Sequence, residues 1–219
     1  MEVKKEGKKE DFLKLLLEEY FESRKAMGNS QRDILRQMAE DYKKNNSYLM
    51  KLYVAIHNGE SQIVDPIRKL AVQCYGENCL LKYKEKNAEF STQKLLKIVG
   101  ELVELLENVL PLGSLVQLKK EYFDELLQKT KVEKLWVVIT NRFLVKEDKS
   151  YFTYGGVVYP VASFNSQNLI QFTPTLIDKV IQKGYRDEQD EAYVYLMKEE
   201  LIIEEEICSA GFQHEEVSE

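Results

Sequence analysis

The sequence predicts an α+β protein: an N-terminal helical half, then a small mixed domain with a short-stranded, mainly antiparallel sheet and C-terminal helices. Three observations lead there. Apolar residues recur at three and four through most of the first 110 positions. "LPLGS" at Leu110–Ser114 is the sharpest break in the chain. After it come β-branched and aromatic runs too short for good helices, "LWVVIT" and "YFTYGGVVYP". The domain division that follows is a helical region at 1–110, an α+β domain at 111–203 and a flexible acidic tail at 204–219.

From Asp11 to about Met27, Phe12, Leu13, Leu15, Leu16, Leu17, Tyr20 and Phe21 make a wide apolar stripe. Such a stripe asks to be covered on more than one side. "GNS" at Gly28–Ser30 stops that helix and caps the next, whose face is Ile34, Leu35, Met38, Ala39 and Tyr42. The pattern resumes after "KNNS" with Leu49, Leu52, Tyr53 and Ile56. A weaker helix is expected over Ile63–Tyr75, with Pro66 in its first turn. The clearest helix follows Ser91: Leu95, Ile98, Val99, Leu102, Leu105, Leu106 and Val109 face one way, and Lys94, Lys97, Glu101, Glu104 and Glu107 the other.

Beyond the break, "SLVQL", "LWVVIT" and "YFTYGGVVYP" read as strands, with a helical turn or two in "KEYFDELLQK". Gly155-Gly156 read as a bulge or turn. "FTPTLIDKVIQKGY" reads as a helix capped by Thr173, with Pro174 in its first turn and Gly184 as its stop. A last helix covers Asp187 to about Leu201.

The chain has 219 residues, 44% of them hydrophobic and 31% charged, with a formal net charge of −6. That is enough to bury a sizeable core. The basic cluster Lys4, Lys5, Lys8 and Lys9 is diluted by Glu2, Glu6 and Glu10, so nucleic acid is not an expected partner. No apolar run approaches the roughly 18 residues of a membrane span, and no signal core follows the charged N-terminus. Cys74, Cys79 and Cys208 read as ordinary reduced cysteines, which fits a cytoplasmic location without membrane insertion. From Asp187 onward, twelve acidic residues stand against one lysine, and the segment reads as solvated charge.

No catalytic set emerges from the residues. The only histidines, His57 and His214, sit at a helix end and in the tail, away from any nucleophile or ligand motif. Gly155-Gly156 lead into a strand rather than a helix N-terminus, so they form no phosphate cradle. No metal, cofactor or enzymatic activity is expected. Phe12, Leu16 and Tyr20 on the first helix, and Arg142, Tyr154 and Tyr159 in the sheet, are the candidate partner-binding residues.

The order of motifs adds a resemblance. "VLPLGSLVQLKK", "KLWVVITNRFLV", "YFTYGGVVYP" and "IQFTPTLIDKVIQKGYRDEQDE" follow one another over residues 109–200. This resembles a bacterial family of domains of unknown function encoded beside LXG toxins of type VII secretion systems in Gram-positive bacteria. The residues that carry it are Leu110–Ser114, Arg142, Tyr154, Gly156, Val157, Tyr159, Pro160, Gly184, Tyr185, Asp187 and Glu188. The sequence departs from the family at Val161 and Ala162, where a small residue and a glycine are usual, and in the added "EYFDELLQKTK". The resemblance implies a cytoplasmic, non-catalytic accessory protein or chaperone that binds a toxin polypeptide before export. An immunity protein that neutralises the toxin is the alternative, and an enzyme acting on a small molecule is a second one.

Overall fold

The computed structural model describes residues 2–123, 134–160 and 169–212. The sequence features at Val161, Ala162 and His214, and most of the added segment before the second long strand, lie outside them. The architecture is α+β. The chain divides into two compact units, Met1–Glu107 with Lys198–Glu205, and Asn108–Met197 with Glu206–Glu219.

In the first unit, helices α1 (Glu2–Ser23), α2 (Asn29–Tyr42) and α3 (Ser47–His57) follow the predicted periodicity, and "KNNS" separates the last two. α4 (Thr92–Leu106) starts where Ser91 Oγ accepts the Lys94 N–H at 3.3 Å. At its other end the buried Lys198 ammonium donates to the carbonyls of Leu105 and Glu107, at 2.8 and 2.6 Å. A cation bonded to orphan carbonyls suits a helix C-terminus.

The helix expected over Ile63–Tyr75 is instead part of a four-stranded antiparallel meander: β1 (Gln62–Asp65), β2 (Leu70–Tyr75), β3 (Asn78–Tyr83) and β4 (Lys86–Ser91). The first half of the chain is therefore not all helical. Pro66 sits in the β1–β2 turn, not in a helical turn. Asp65 Oδ1 accepts the Arg68 N–H at 3.1 Å, and Lys69 N–H donates to Pro66 O. Asp-Pro is a turn initiator as readily as a helix start. Cys79, Leu81 and Tyr83 are buried between exposed or half-exposed neighbours, the period of two that a strand requires.

Cys74 and Cys79 are joined by a disulfide, not two separate thiols. They face each other across β2 and β3 with Cα atoms 4.1 Å apart, flanking the Gly76-Glu77 turn.

Burial raises the pKa of several tyrosines here. Tyr20 is held well above its usual range by burial, then by the Glu101 charge and hydrogen bond. Burial, followed by the Asp41 hydrogen bond, pushes Tyr83 up, and burial with the Asp65 charge pushes Tyr48 up to about 12. In the unfolded chain these phenols ionise near 10. A raised folded-state value contributes stability that is complete below pH 10 and is lost as the pH rises. The expected denaturant midpoint therefore falls between pH 10 and 12, less steeply in Tyr20→Phe; a flat profile would refute the assignment.

The second unit is built on a six-stranded sheet of order β10-β7-β6-β5-β9, with β8 also paired to β7. Its strands are β5 (Leu115–Leu118), β6 (Leu135–Val145), β7 (Ser150–Val158), β8 (Ile170–Phe172), β9 (Ile177–Gln182) and β10 (Cys208–Ser209). "FTPTLIDKVIQKGY" is a 3-10 turn, Pro174–Leu176, running into β9 rather than the expected helix. Its apolar spacing fits either state, and pairing with β5 decides for the strand.

α5 (Glu188–Lys198) begins as expected, with Asp187 Oδ1 accepting the Asp190 N–H at 3.0 Å. It continues into a π-helical turn, Glu199–Glu204. The tail expected from residue 204 is corrected up to residue 212: β10 pairs in parallel with the start of β7, and Phe212 is buried. Residues 213–219 lie outside the described set.

Candidate functional site

The residues that marked the break in the sequence tie the second unit together. Gly113 takes a φ of +77°, and its N–H donates to Ile139 O at 2.8 Å. Ile139 N–H donates in return to Ser114 O at 2.9 Å. The buried Ser114 hydroxyl donates to Pro111 O at 2.7 Å and accepts the Gly184 N–H at 3.0 Å. The Leu110 N–H donates to the Tyr154 hydroxyl at 2.8 Å. "LPLGS" thus joins the start of β5, the middle of β6 and the end of β9.

The glycine pair of β7 lies inside a continuous strand. Between Ile139 and Asn141 the β6–β7 register shifts by one residue, so the bulge lies in β6, opposite the glycines. A Cβ on Gly156 would meet Val138 O and Val137 Cγ1 at 2.5 Å; one on Gly155 would meet Leu144 Cδ1 at 2.5 Å. Their small size lets the strands close. Gly156→Val is expected to cost about 1–3 kcal/mol of stability, measured as a lowered thermal midpoint. A variant of unchanged stability that loses partner binding would contradict this structural role.

Arg142 belongs to a buried ion-pair cluster. Its side chain is 4% exposed, Nη2 meets Asp190 Oδ1 at 2.7 Å, and its guanidinium lies 5.0 Å from the centre of the Tyr193 ring. Asp190 also pairs with Arg186 Nε at 3.1 Å. Arg186 in turn donates to Asn108 Oδ1, 2.9 Å away, and to Val109 O. Part of the acidic segment is therefore paired with these arginines, not solvated.

Most of the expected partner-binding residues are interior. Leu16 is 2% exposed and Tyr20 0%, with the Tyr20 hydroxyl donating to Glu101 Oε2 at 2.5 Å. The side of the α1 stripe that carries them is covered, so neither side chain can meet a partner; Phe12 is half-buried and Leu15 exposed. Tyr154 is 1% exposed, bonded to Leu110 and packed on Phe172. Arg142 is buried as described. Tyr159 differs: it is 49% exposed.

Register places other side chains on the face that Tyr159 occupies. Leu115 opposes Val138, which opposes Val157 on its other side. In the next row Gln117 opposes Trp136, whose ring lies 6.1 Å from that of Tyr159. Cross-strand partners point to the same side of a sheet. Leu115, Trp136, Val138 and Val157 are half-buried, while Val116, Leu118, Leu135 and Val137 on the opposite side are fully buried. Trp136 Nε1 donates to Gln117 Oε1 at 3.2 Å, and Gln117 Nε2 to Asp178 Oδ2 at 2.8 Å, which holds the indole in place. This is an apolar, aromatic face with a polar margin, suited to protein contact and carrying no reactive group. Among the described residues no group of three or more His, Cys, Asp or Glu is placed to hold a metal ion, and His57 stacks on Tyr53.

A family model covers most of this unit. Residues 109–193 match the model of a domain of unknown function, DUF4176. The DUF4176 segment is less than half of the chain. It holds the "LPLGS" junction, β5 to β9, the glycine pair and the start of α5. No curated protein and no solved structure matches the chain. Trp136, Val138 and Leu115 were not singled out by sequence reasoning; "LWVV" is apolar throughout and does not tell its two faces apart, and only the register identifies Tyr159 as the neighbour of Trp136.

Proposed function

We propose that the protein is a non-catalytic accessory factor that binds an LXG-type toxin in the cytoplasm before type VII secretion. The observation that carries this reading is the row of half-exposed apolar and aromatic side chains on the DUF4176 segment, from Leu115 through Val138 to Val157 and from Trp136 to Tyr159. The motif order that resembles the toxin-linked family lies on the same segment. Aromatic anchors with a polar margin are the usual energetic centre of a protein interface. A cytoplasmic location is part of the proposal. The Cys74–Cys79 bond is not the only tie in that hairpin, whose β2–β3 ladder runs from Leu70 opposite Tyr83 to Tyr75 opposite Asn78. No helix among the described residues is long and apolar enough to cross a membrane.

The experiment is deletion in the producing cell with the toxin gene retained. The expected result is a lower soluble or secreted toxin level, with unchanged sensitivity to toxin delivered from outside. Intact secretion combined with killing by incoming toxin would replace this reading with an immunity role.

A further inference from the structure

The first unit holds a cavity of about 550 Å³ lined by Asp41, Tyr42, Ile67, Arg68, Lys69, Tyr83, Lys84 and Lys86 among others. We propose that it is a binding site for an acidic stretch of polypeptide, recognised by Lys69 and Lys86. The site belongs to the first unit and the Trp136–Tyr159 face to the second, and it does not depend on the function proposed for that face.

The cavity is a built feature. The β1–β2 and β3–β4 turns lie side by side, with Lys84 N–H donating to Lys69 O at 2.7 Å. Lys69 and Lys84 take φ values of +53° and +55°, which carries the chain sharply round both turns. A ladder of rings and cations supports them. The Arg68 guanidinium lies 4.6 Å from the centre of the Tyr48 ring, Tyr48 stacks on Tyr42 at 5.6 Å, Tyr42 meets Tyr83 at 6.2 Å, and the Lys84 ammonium sits 5.3 Å from the Tyr83 ring.

Four cations, Arg68, Lys69, Lys84 and Lys86, line the cavity with two carboxylates, Asp41 and the exposed Glu85, and the cations sort into used and unused. Arg68 is held by Asp65 at 2.7 Å. Lys84 is held by Asp41 at 2.5 Å, which also accepts the Tyr83 hydroxyl at 2.7 Å. Both side chains are committed to shaping the walls. Among the described residues Lys69 and Lys86 form no ion pair, and both are exposed. The site therefore offers two exposed ammonium groups that no described ion pair engages. Ile67, 90% exposed, adds an apolar contact at the rim.

This donor set favours carboxylates over nucleic acid. Planar, bidentate phosphate recognition is the work of arginine, and the arginine here is engaged; free lysines act as point charges that a carboxylate satisfies equally. The rings of Tyr42 and Tyr83 are buried, so they present no open face for a base to stack on. Acidic side chains with an apolar residue between them fit the two lysines and Ile67.

The test is fluorescence anisotropy on the full chain, with a short labelled peptide of alternating glutamate and leucine, at low and high salt. Saturable, salt-weakened binding is expected. Lys69→Glu with Lys86→Glu should lose at least about tenfold in affinity (roughly 1.4 kcal/mol), while Lys179→Glu with Lys183→Glu, the same charge change on the other unit, should not. Both double variants alter exposed side chains, and an unchanged thermal midpoint confirms their folding. Equal binding by the two double variants, absence of saturable binding, or stronger competition by a single-stranded oligonucleotide than by unlabelled peptide would each overturn the proposal.

Discussion

Gly184→Ala is expected to unfold the second unit at temperatures where the native chain is stable. Gly184 lies against the Leu112 carbonyl, so an added Cβ would collide with Leu112 O and come within 3.0 Å of Ser114 N. These are backbone atoms, locked by Gly113 N–H to Ile139 O and by the Ser114 hydroxyl, so the clash cannot be relieved by turning a side chain. Overpacking against a fixed backbone costs about 3 kcal/mol or more. For a unit of this size that is a drop of roughly 12–24 °C in Tm. Ser114→Ala, which removes only the hydroxyl bridge, should cost about 1–2 kcal/mol. If Gly184→Ala proves no worse than Ser114→Ala, the close approach is not what the glycine serves.

The second large effect belongs to Glu101. Its buried carboxylate accepts the Tyr20 hydroxyl at 2.5 Å and the Arg24 guanidinium at 3.0 Å, with Lys97 at 3.9 Å. Glu101→Ala leaves a buried phenol without its acceptor. Arg24 loses the Glu101 carboxylate and keeps the Ile202 carbonyl and the Tyr20 ring, 5.0 Å away. Removing one partner of a buried pair costs about 3–5 kcal/mol. Glu101→Gln keeps an acceptor for Tyr20 and should cost clearly less. Chemical denaturation of the three proteins reads the difference; equal losses in Ala and Gln would mean that the carboxylate's volume, not its bonding, is what matters.

The sequence was legible where one residue decided a structure by local chemistry. Ser91 capped α4, "LPLGS" made the Gly113 turn into β5, and the β-branched run of Leu135–Thr140 made a strand. It was not legible where the deciding partner is distant. Ile63, Ile67, Leu70 and Ala71 are spaced for a helix while Leu70 and Val72 are spaced for a strand, and the ladder with β3 selects the strand. Ile177–Gln182 became a strand because β5 had an open edge. Leu16 and Tyr20 carried the right chemistry for an interface, but Glu101, 81 positions from Tyr20, draws the tyrosine inward. Arg142 was similarly claimed by Asp190, 48 positions away. The candidate face was half visible: Tyr159 stood out as an aromatic, while Trp136, Val138 and Leu115 joined it only through cross-strand register.

The most direct measurement is co-purification of the tagged chain from its producing cell, beside a Tyr159→Glu variant. Tyr159 is an exposed side chain, so the variant should keep the native thermal midpoint. The expected result is a toxin polypeptide retained in near-equal amount by the native chain and largely lost from Tyr159→Glu. Retention of no toxin polypeptide, or equal retention by both proteins, would contradict the assignment of this face as the toxin-binding surface.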